Sequence, residues 1–453
     1  MNRSARNVVV LFADQQRWDS SSIFGNPLDL TPNFDRLAMA GTHLYHCFSC
    51  QPVCGPARAA MQTGLYPTTT GCFRNHIALD PRHRTLAHHF AAGGLRTGYI
   101  GKWHLAGSEP VPASERGGYE HWLAANMLEY SSDAFDTTLF DEQGCAVKLP
   151  GFRVDALTDA AIRFIDDHRH ERFFLFVSYI EPHHQNHLDS HPAGDGYAER
   201  YGGRWMPVDL QALRGNAAQQ LPGYFGMVKR LDDALGRVMD ALRSLGLFDD
   251  TAVLYTADHG HHFQTRNSEY KRSCHDASIR IPGMLHGGPF SGGGRVSQLV
   301  SLIDLPPTLL DAAGLPVPAA MQGRSIMPLL RGASAAWPEE VYAQISESQV
   351  GRAIRTRRWK YSVRAERADG NQAPGAAVYR EEFLYDLLAD PHELTNLAGV
   401  DTFAAVSAQL RERLRERVQQ AGEPVPEVVP APSRPGGQRA PTVGEGGQGP
   451  RTL

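Results

Sequence analysis

The chain has 453 residues, 42% of them hydrophobic and 21% charged, with a net charge of −4. That balance is ordinary for a globular protein with a sizeable core, and without a long basic run it argues against nucleic acid or an anionic membrane surface as partner. No apolar stretch reaches the ~18 residues needed to span a bilayer.

At the N-terminus, Met1 to Arg6 is short and basic. The apolar run after it, Val8 to Ala13, is only a strand long and stops at Asp14. A secretory leader needs a longer apolar segment and a small-residue cleavage site, so a cytoplasmic protein is expected. Further apolar runs that read as buried strands are Thr97 to Ile100, Phe173 to Ile180 and Ala252 to Thr256. Between them lie helical patterns. The clearest, Tyr224 to Leu245, places Tyr224, Met227, Leu231, Leu235, Val238 and Leu242 on one face and is closed by Gly246. Strands alternating with helices predict an α/β fold built on a large, mostly parallel sheet flanked by helices. From about Glu340 the texture changes. Val341 to Ile345, Gly351 to Arg355 and Trp359 to Val363 read as strands and Phe403 to Gln420 as a helix, a smaller C-terminal α+β subdomain. The expected division is 1–338, 339–422 and a Pro- and Gly-rich tail, 423–453, without structure of its own.

The strand ends carry the chemistry. The first runs into Asp14-Gln15, the second into Lys102-Trp103-His104, the third into Glu181-Pro182-His183 and the fourth into Asp258-His259. In open α/β sheets ligands bind outside the carboxyl ends of the strands, so these four ends can serve one crevice. Six cysteines are too sparse for a disulfide scaffold. Cys47, Cys50 and Cys54 cluster, but a zinc or iron–sulfur site needs a fourth ligand and paired CxxC units. Reduced thiols around one special cysteine fit better. Pro56 suits the first turn of a helix and Gly64 its end. Residue 54 then stands at a helix N-terminus, where free N–H groups attract anions, and Arg58 lies one turn on. His183, His187 and His191 have a spacing that would suit zinc on a helix, but Pro182 and Pro192 make the segment a loop.

Cys54-Gly55-Pro56-Ala57-Arg58, followed by Thr63-Gly64, resembles the motif of the formylglycine-dependent sulfatase family of the alkaline-phosphatase-like superfamily. Gly98-Tyr99-Ile100-Gly101-Lys102-Trp103-His104-Leu105 is similar to that family's second signature, with one spacer residue fewer. Ala257-Asp258-His259-Gly260 resembles its late metal-binding turn, and Tyr385-Asp386-Leu387, Asp390-Pro391 and Asn396-Leu397 its C-terminal ending.

The resemblance implies that a formylglycine-generating maturation enzyme oxidises Cys54 to an aldehyde, whose hydrate attacks the sulfur of a sulfate ester. It implies Asp14, Gln15, residue 54, Asp258 and His259 as metal ligands. Many relatives have an acid where Gln15 stands and Asn where His259 stands. An oxygen-rich set favours calcium, while the His259 nitrogen leaves manganese or another transition metal open. Arg58, Lys102 and Lys271 would offset charge on the sulfate, His183 would protonate the leaving alcohol, and His104 would release sulfate. Asn75 and His275 are implied substrate contacts. The expected activity is sulfate ester hydrolysis. The polar segments 183–204 and 347–352 suggest a sulfated sugar as substrate. A phosphonate monoester or phosphodiester hydrolase using the same aldehyde is the enzyme alternative. An inactive binding module would have lost Cys54, Lys102 or Asp258, and all three are present.

Overall fold

The computed structural model describes residues 4–332 and 337–436. Two sheets organise them. The larger has eleven strands. In chain order these are β1 (Asn7–Ala13), β2 (Thr42–Phe48), β3 (Arg96–Lys102), β4 (His121–Ala125), β5 (Thr137–Phe140), β6 (Ala146–Leu149), β7 (Phe173–Ser178), β8 (Thr251–Ala257), β9 (Arg280–Ile281), β10 (Gly283–His286) and β11 (Gly294–Ser301). Their spatial order is β11-β2-β10-β8-β1-β7-β3-β4-β5-β6, with β9 beside β2.

The central neighbours β8, β1, β7, β3 and β4 are all parallel, and antiparallel pairs extend the sheet on both sides. The expected parallel sheet is thus its centre, and the whole is mixed. β1, β7 and β8 are buried along their entire length. That is why they are continuous apolar runs with no alternation: helices cover both faces. The long helix begins earlier than its stripe suggests. It spans Ala217–Ser244 and carries Pro222 within its first turns.

The smaller sheet has the order β12 (Glu340–Ile345), β13 (Val350–Thr356), β14 (Trp359–Ala365), β15 (Val378–Asp386) and β16 (Glu427–Val429). Helix Ala404–Gln420 packs Leu410, Leu414 and Val418 against Tyr342, Ile354 and Tyr361 of this sheet.

β16 corrects the expectation of an unstructured tail from residue 423. Val428 pairs in parallel with Tyr379. Before it, the Glu423 carboxylate accepts from Arg352 Nε (3.0 Å), Tyr342 Oη (2.6 Å) and Gln344 Nε2 (2.6 Å). Composition hid this, because the anchor is one carboxylate meeting a buried arginine and not an apolar stripe. Residues 437–453 of the expected tail lie outside the described residues.

The two sheets meet through a shared apolar cluster that includes Phe48, Cys274, Ile279, Val341 and Ala353. They also meet through buried charge. Lys360 of β14 is fully buried and pairs with Asp276 and with Glu393 (2.7 Å), while Arg355 reaches Asp276 at 3.2 Å. Burial opposes ionisation of Asp276, but Lys360, Arg355 and Arg280 outweigh it and hold its pKa well below the ordinary value. A depressed carboxylate contributes stability that is present above its unfolded-state pKa and lost as the pH falls. Asp276→Asn should therefore cost about 3–5 kcal/mol at neutral pH, because Lys360 loses a buried partner. In urea titrations its deficit against the parent should narrow as the pH is taken below 3.8, the ordinary aspartate value. A deficit unchanged with pH would exclude this account.

Candidate active site

Because β8, β1, β7 and β3 are adjacent and parallel, the residues after them converge. Asp14 follows β1, Asp258 and His259 follow β8, Lys102 closes β3, and His183 lies beyond β7. Cys54 opens helix Cys54–Thr63, which Gly64 ends in a left-handed conformation (φ 70°) that glycine adopts without strain. The helix points its first turn at the same place.

Asp14 is the hub. Its Oδ2 accepts from Lys102 Nζ (2.9 Å) and Arg58 Nη2 (2.9 Å). Lys102 is also bonded to Glu129 (3.0 Å), and Arg58 to Ser178 Oγ (2.6 Å) and the Lys102 carbonyl (3.0 Å). Cys54 Sγ lies 2.8 Å from Lys271 Nζ, 3.2 Å from His259 Nε2 and 3.5 Å from Asp14 Oδ1. Burial pushes the Cys47 thiol up to about 12 and raises Cys50 as well. At Cys54 burial has the same tendency, yet Lys271, Lys102 and His259 overcome it and hold the thiol well below its ordinary value. Of the three clustered cysteines, this one alone is set among cations.

Asp14, Cys54, Asp258 and His259 bring one ligand atom each to within 4.8 Å of one another, all buried. Asp258 Oδ1 accepts the backbone N–H of Gln15 (2.9 Å) and of His259 (2.8 Å), while its buried Oδ2 has no hydrogen-bond donor. Burial and Asp14 push the Asp258 carboxyl up to about 6. Two carboxylates in conflict, one with an oxygen that accepts no hydrogen bond, fit a divalent cation, which would remove that conflict.

Gln15 stands beside this set with its Oε1 toward Lys271 (3.3 Å). The open cleft above has a volume of about 420 Å³, and Gln15, Cys54, Asn75, His104, His183 and Lys271 line it. Asn75 accepts the Gly55 N–H through Oδ1 (2.9 Å), so it offers the cleft its amide NH2. His104 is buried, with neither ring nitrogen hydrogen-bonded.

Arg58 differs from its expected place. It lies beneath the cleft and braces Asp14, and at 3.5 Å Asp258, without lining the pocket. His275 corrects the sequence reading outright. It does not line the cleft but is buried at the junction of the sheets, between Tyr385 Oη (3.1 Å) and Ser273 Oγ (3.2 Å). Its neighbourhood in sequence resembles an active-site stretch, but the chain turns inward after Lys271. The histidine loop is indeed a loop: His187 pairs with Asp133, and His191 with Gln220.

Some cleft residues had no sequence signal: Glu129, Tyr130 and Tyr270 come from loops and short helices without a motif, whereas His184 and Asp189 fall in the segment 183–204 that the sequence offers as a pocket wall. Glu347, from the turn between β12 and β13, accepts from Asn75 N (2.7 Å) and Arg272 Nε (2.5 Å). Left-handed φ values occur at Gln15, His76, His104, Asp189, Arg272 and Glu347, six of the nine non-glycine cases among the described residues. Strain of this kind gathers at functional sites and is held by surrounding contacts.

A buried thiol ringed by cations, beside two carboxylates and an imidazole that could hold a metal ion, lies at the carboxyl edge of a mixed α/β sheet of the alkaline-phosphatase-like class. The sulfatase family profile matches residues 6–315, and the profile of the N-sulphoglucosamine sulphohydrolase C-terminal region matches 268–420. The chain belongs to the sulfatase family and is a sulfuric ester hydrolase.

It is 27% identical to the ulvan-active sulfatase of Formosa agariphila, over 92% of this chain and 82% of that protein. It is 24% identical to the N-acetylglucosamine-6-O-sulfatase of Bacteroides thetaiotaomicron, over 91% and 86%. A solved structure described as bound to its substrate D-glucosamine-2-N,6-O-disulfate shares the fold, with a TM-score of 0.76, 23% identity, and 93% and 98% coverage. Among the described residues no helix is long and apolar enough to cross a membrane.

Glu347 joins the small subdomain to both sides of the residue 54 pocket. Glu347→Ala should lower unfolding stability by about 1–3 kcal/mol, the cost of leaving a partly buried charge pair broken. It should also reduce kcat/KM, because Arg272 adjoins Lys271. An unchanged urea midpoint would mean that the clamp holds nothing.

Proposed function

We propose that this enzyme hydrolyses saccharide sulfate monoesters through Cα-formylglycine at position 54, installed by a formylglycine-generating enzyme. The catalytic unit in this reading is residues 1–338, with the segment from 339 through β16 as the subdomain that braces the cleft through Glu347. The observation that carries it is the Cys54 thiol between Lys271, His259 and the Asp14 hub. Two carbohydrate sulfatases among the relatives support the saccharide. Beside such relatives a phosphonate monoester or phosphodiester substrate is not favoured.

Asp14, residue 54, Asp258 and His259 hold the cation, with Gln15 as a further ligand. Two carboxylates favour calcium, and the imidazole nitrogen makes manganese second. When bound, the cation and the aldehyde hydrate supply a nucleophile of lowered pKa and offset charge on sulfate. This chain's residues do the rest. Lys271 faces the sulfate oxygens, Asn75 donates from the other side, and Lys102 acts from beneath through Asp14. Arg58 keeps Asp14 in place. His104, without a partner on either nitrogen, is free to take the proton whose loss releases sulfate.

The leaving oxygen needs a proton, and the geometry narrows its source. His183 Nδ1 is 2.6 Å from the His184 carbonyl, an acceptor only, so Nδ1 carries the hydrogen. Its Nε2 then accepts from Lys271 Nζ (3.2 Å), and burial and Lys271 both favour the neutral ring. The proton is therefore delivered by the Lys271–His183 pair, with Lys271 as its store.

An aryl leaving group departs with little help, whereas a sugar alkoxide does not. His183→Ala should lower kcat/KM for sulfated sugars by about 100-fold or more, within the usual range for general acid catalysis, and much less for 4-nitrophenyl sulfate. Equal losses on both would remove His183 from proton delivery. His104→Ala should give a burst of about one equivalent of alcohol and then stall. A slow steady state without a burst would place His104 elsewhere.

A further inference from the structure

The walls of the cleft differ from its floor. At the floor Lys271 stands against residue 54, and beneath it Lys102 and Arg58 are paired with Asp14. On the walls, the only lysine or arginine among the described lining residues besides Lys271 is Arg272. Arg272 is already neutralised. It pairs with Glu269 and, through Nε at 2.5 Å and Nη2, with Glu347.

His184 is committed as well. Its Nε2 lies 3.0 Å from Asp189 Oδ1, which also accepts from Tyr270 Oη at 3.2 Å. His76 packs edge-on to His104, 6.2 Å between ring centres. What the walls present outward are carboxylates and rings. The Asp189 side chain is 80% exposed and that of Glu269 44%. Tyr130 stands at the rim, 67% exposed.

We propose that the saccharide is singly sulfated and otherwise neutral, with Asp189 and Glu269 acting as specificity residues. Each accepts sugar hydroxyls, and each repels a second sulfate or a carboxylate on the same ring. Tyr130 and Tyr270 offer flat apolar faces to the ring's C–H groups. This inference rests on the saccharide reading above and adds the charge of the substrate. A second anion would meet no unpaired cation on these walls, and it would lose its hydration against the net negative charge left by one arginine between Glu269 and Glu347 and against Asp189.

The test uses the full chain bearing the aldehyde and loaded with metal. Rates are measured on 4-nitrophenyl sulfate and on singly sulfated glucose and galactose differing in the esterified hydroxyl. The best of these sugars is then compared with the same sugar carrying a second sulfate. The singly sulfated sugar should be preferred about tenfold or more, the order expected for one like-charge contact at partial exposure. Glu269→Gln and Asp189→Asn should each narrow that preference at least threefold, roughly what removing one half-exposed charge yields. Glu269→Gln leaves Arg272 paired with Glu347, so the fold is retained in at least one variant.

A preference for the disulfated sugar, or a ratio that neither variant moves, overturns the inference and leaves the saccharide reading standing. Cleavage of 4-nitrophenyl sulfate with no cleavage of any sugar overturns the saccharide reading itself.

Discussion

The site depends on the Asp14 carboxylate, buried at the end of the central strand. Burial and the neighbouring thiol oppose its ionisation, and Lys102 and Arg58 hold it well below the ordinary carboxylate range. None of these groups is affordable alone in a dry interior, since an uncompensated buried charge costs several kcal/mol. Lys102 needs Glu129 as well as Asp14, and Arg58 needs Ser178 and a backbone carbonyl. The charges therefore come as a set. The set is possible because four parallel neighbours, β8, β1, β7 and β3, end along one edge.

From that hub the reacting position follows. Helix Cys54–Thr63 delivers residue 54 into a space already lined with cations, so an anion forming there is stabilised without further rearrangement. Asp258 supplies the second carboxylate of a group that could hold a cation. The cleft is then layered: cations tied to Asp14 beneath its floor, and exposed carboxylates and rings on its walls. The small subdomain contributes to the wall through Glu347 and is itself tied down by Lys360 and Asp276.

Much of this was legible in the sequence, for definite reasons. β1, β3, β7 and β8 are apolar runs, and the polar residue ending each is where the chain leaves the sheet, so Asp14, Lys102, His183 and Asp258 announce themselves. The Cys54 motif is local, because one helix turn holds both Cys54 and Arg58. What escaped is non-local. Glu129 and Tyr270 reach the cleft from a short helix and a loop whose course only tertiary packing decides. His275 was misplaced because its sequence context is shared with an active-site stretch while the backbone turns it inward to Tyr385. The strand Glu427–Val429 escaped because a Pro-rich composition concealed an anchor made by a single carboxylate, Glu423.

The most direct test of the central claim is peptide mass spectrometry of the fragment spanning Cys54, from protein co-produced with a formylglycine-generating enzyme, read against specific activity across preparations. The account predicts an aldehyde at position 54 that reacts with a hydrazide probe, and activity proportional to the modified fraction. Fully active enzyme whose fragment carries only unmodified cysteine would contradict it.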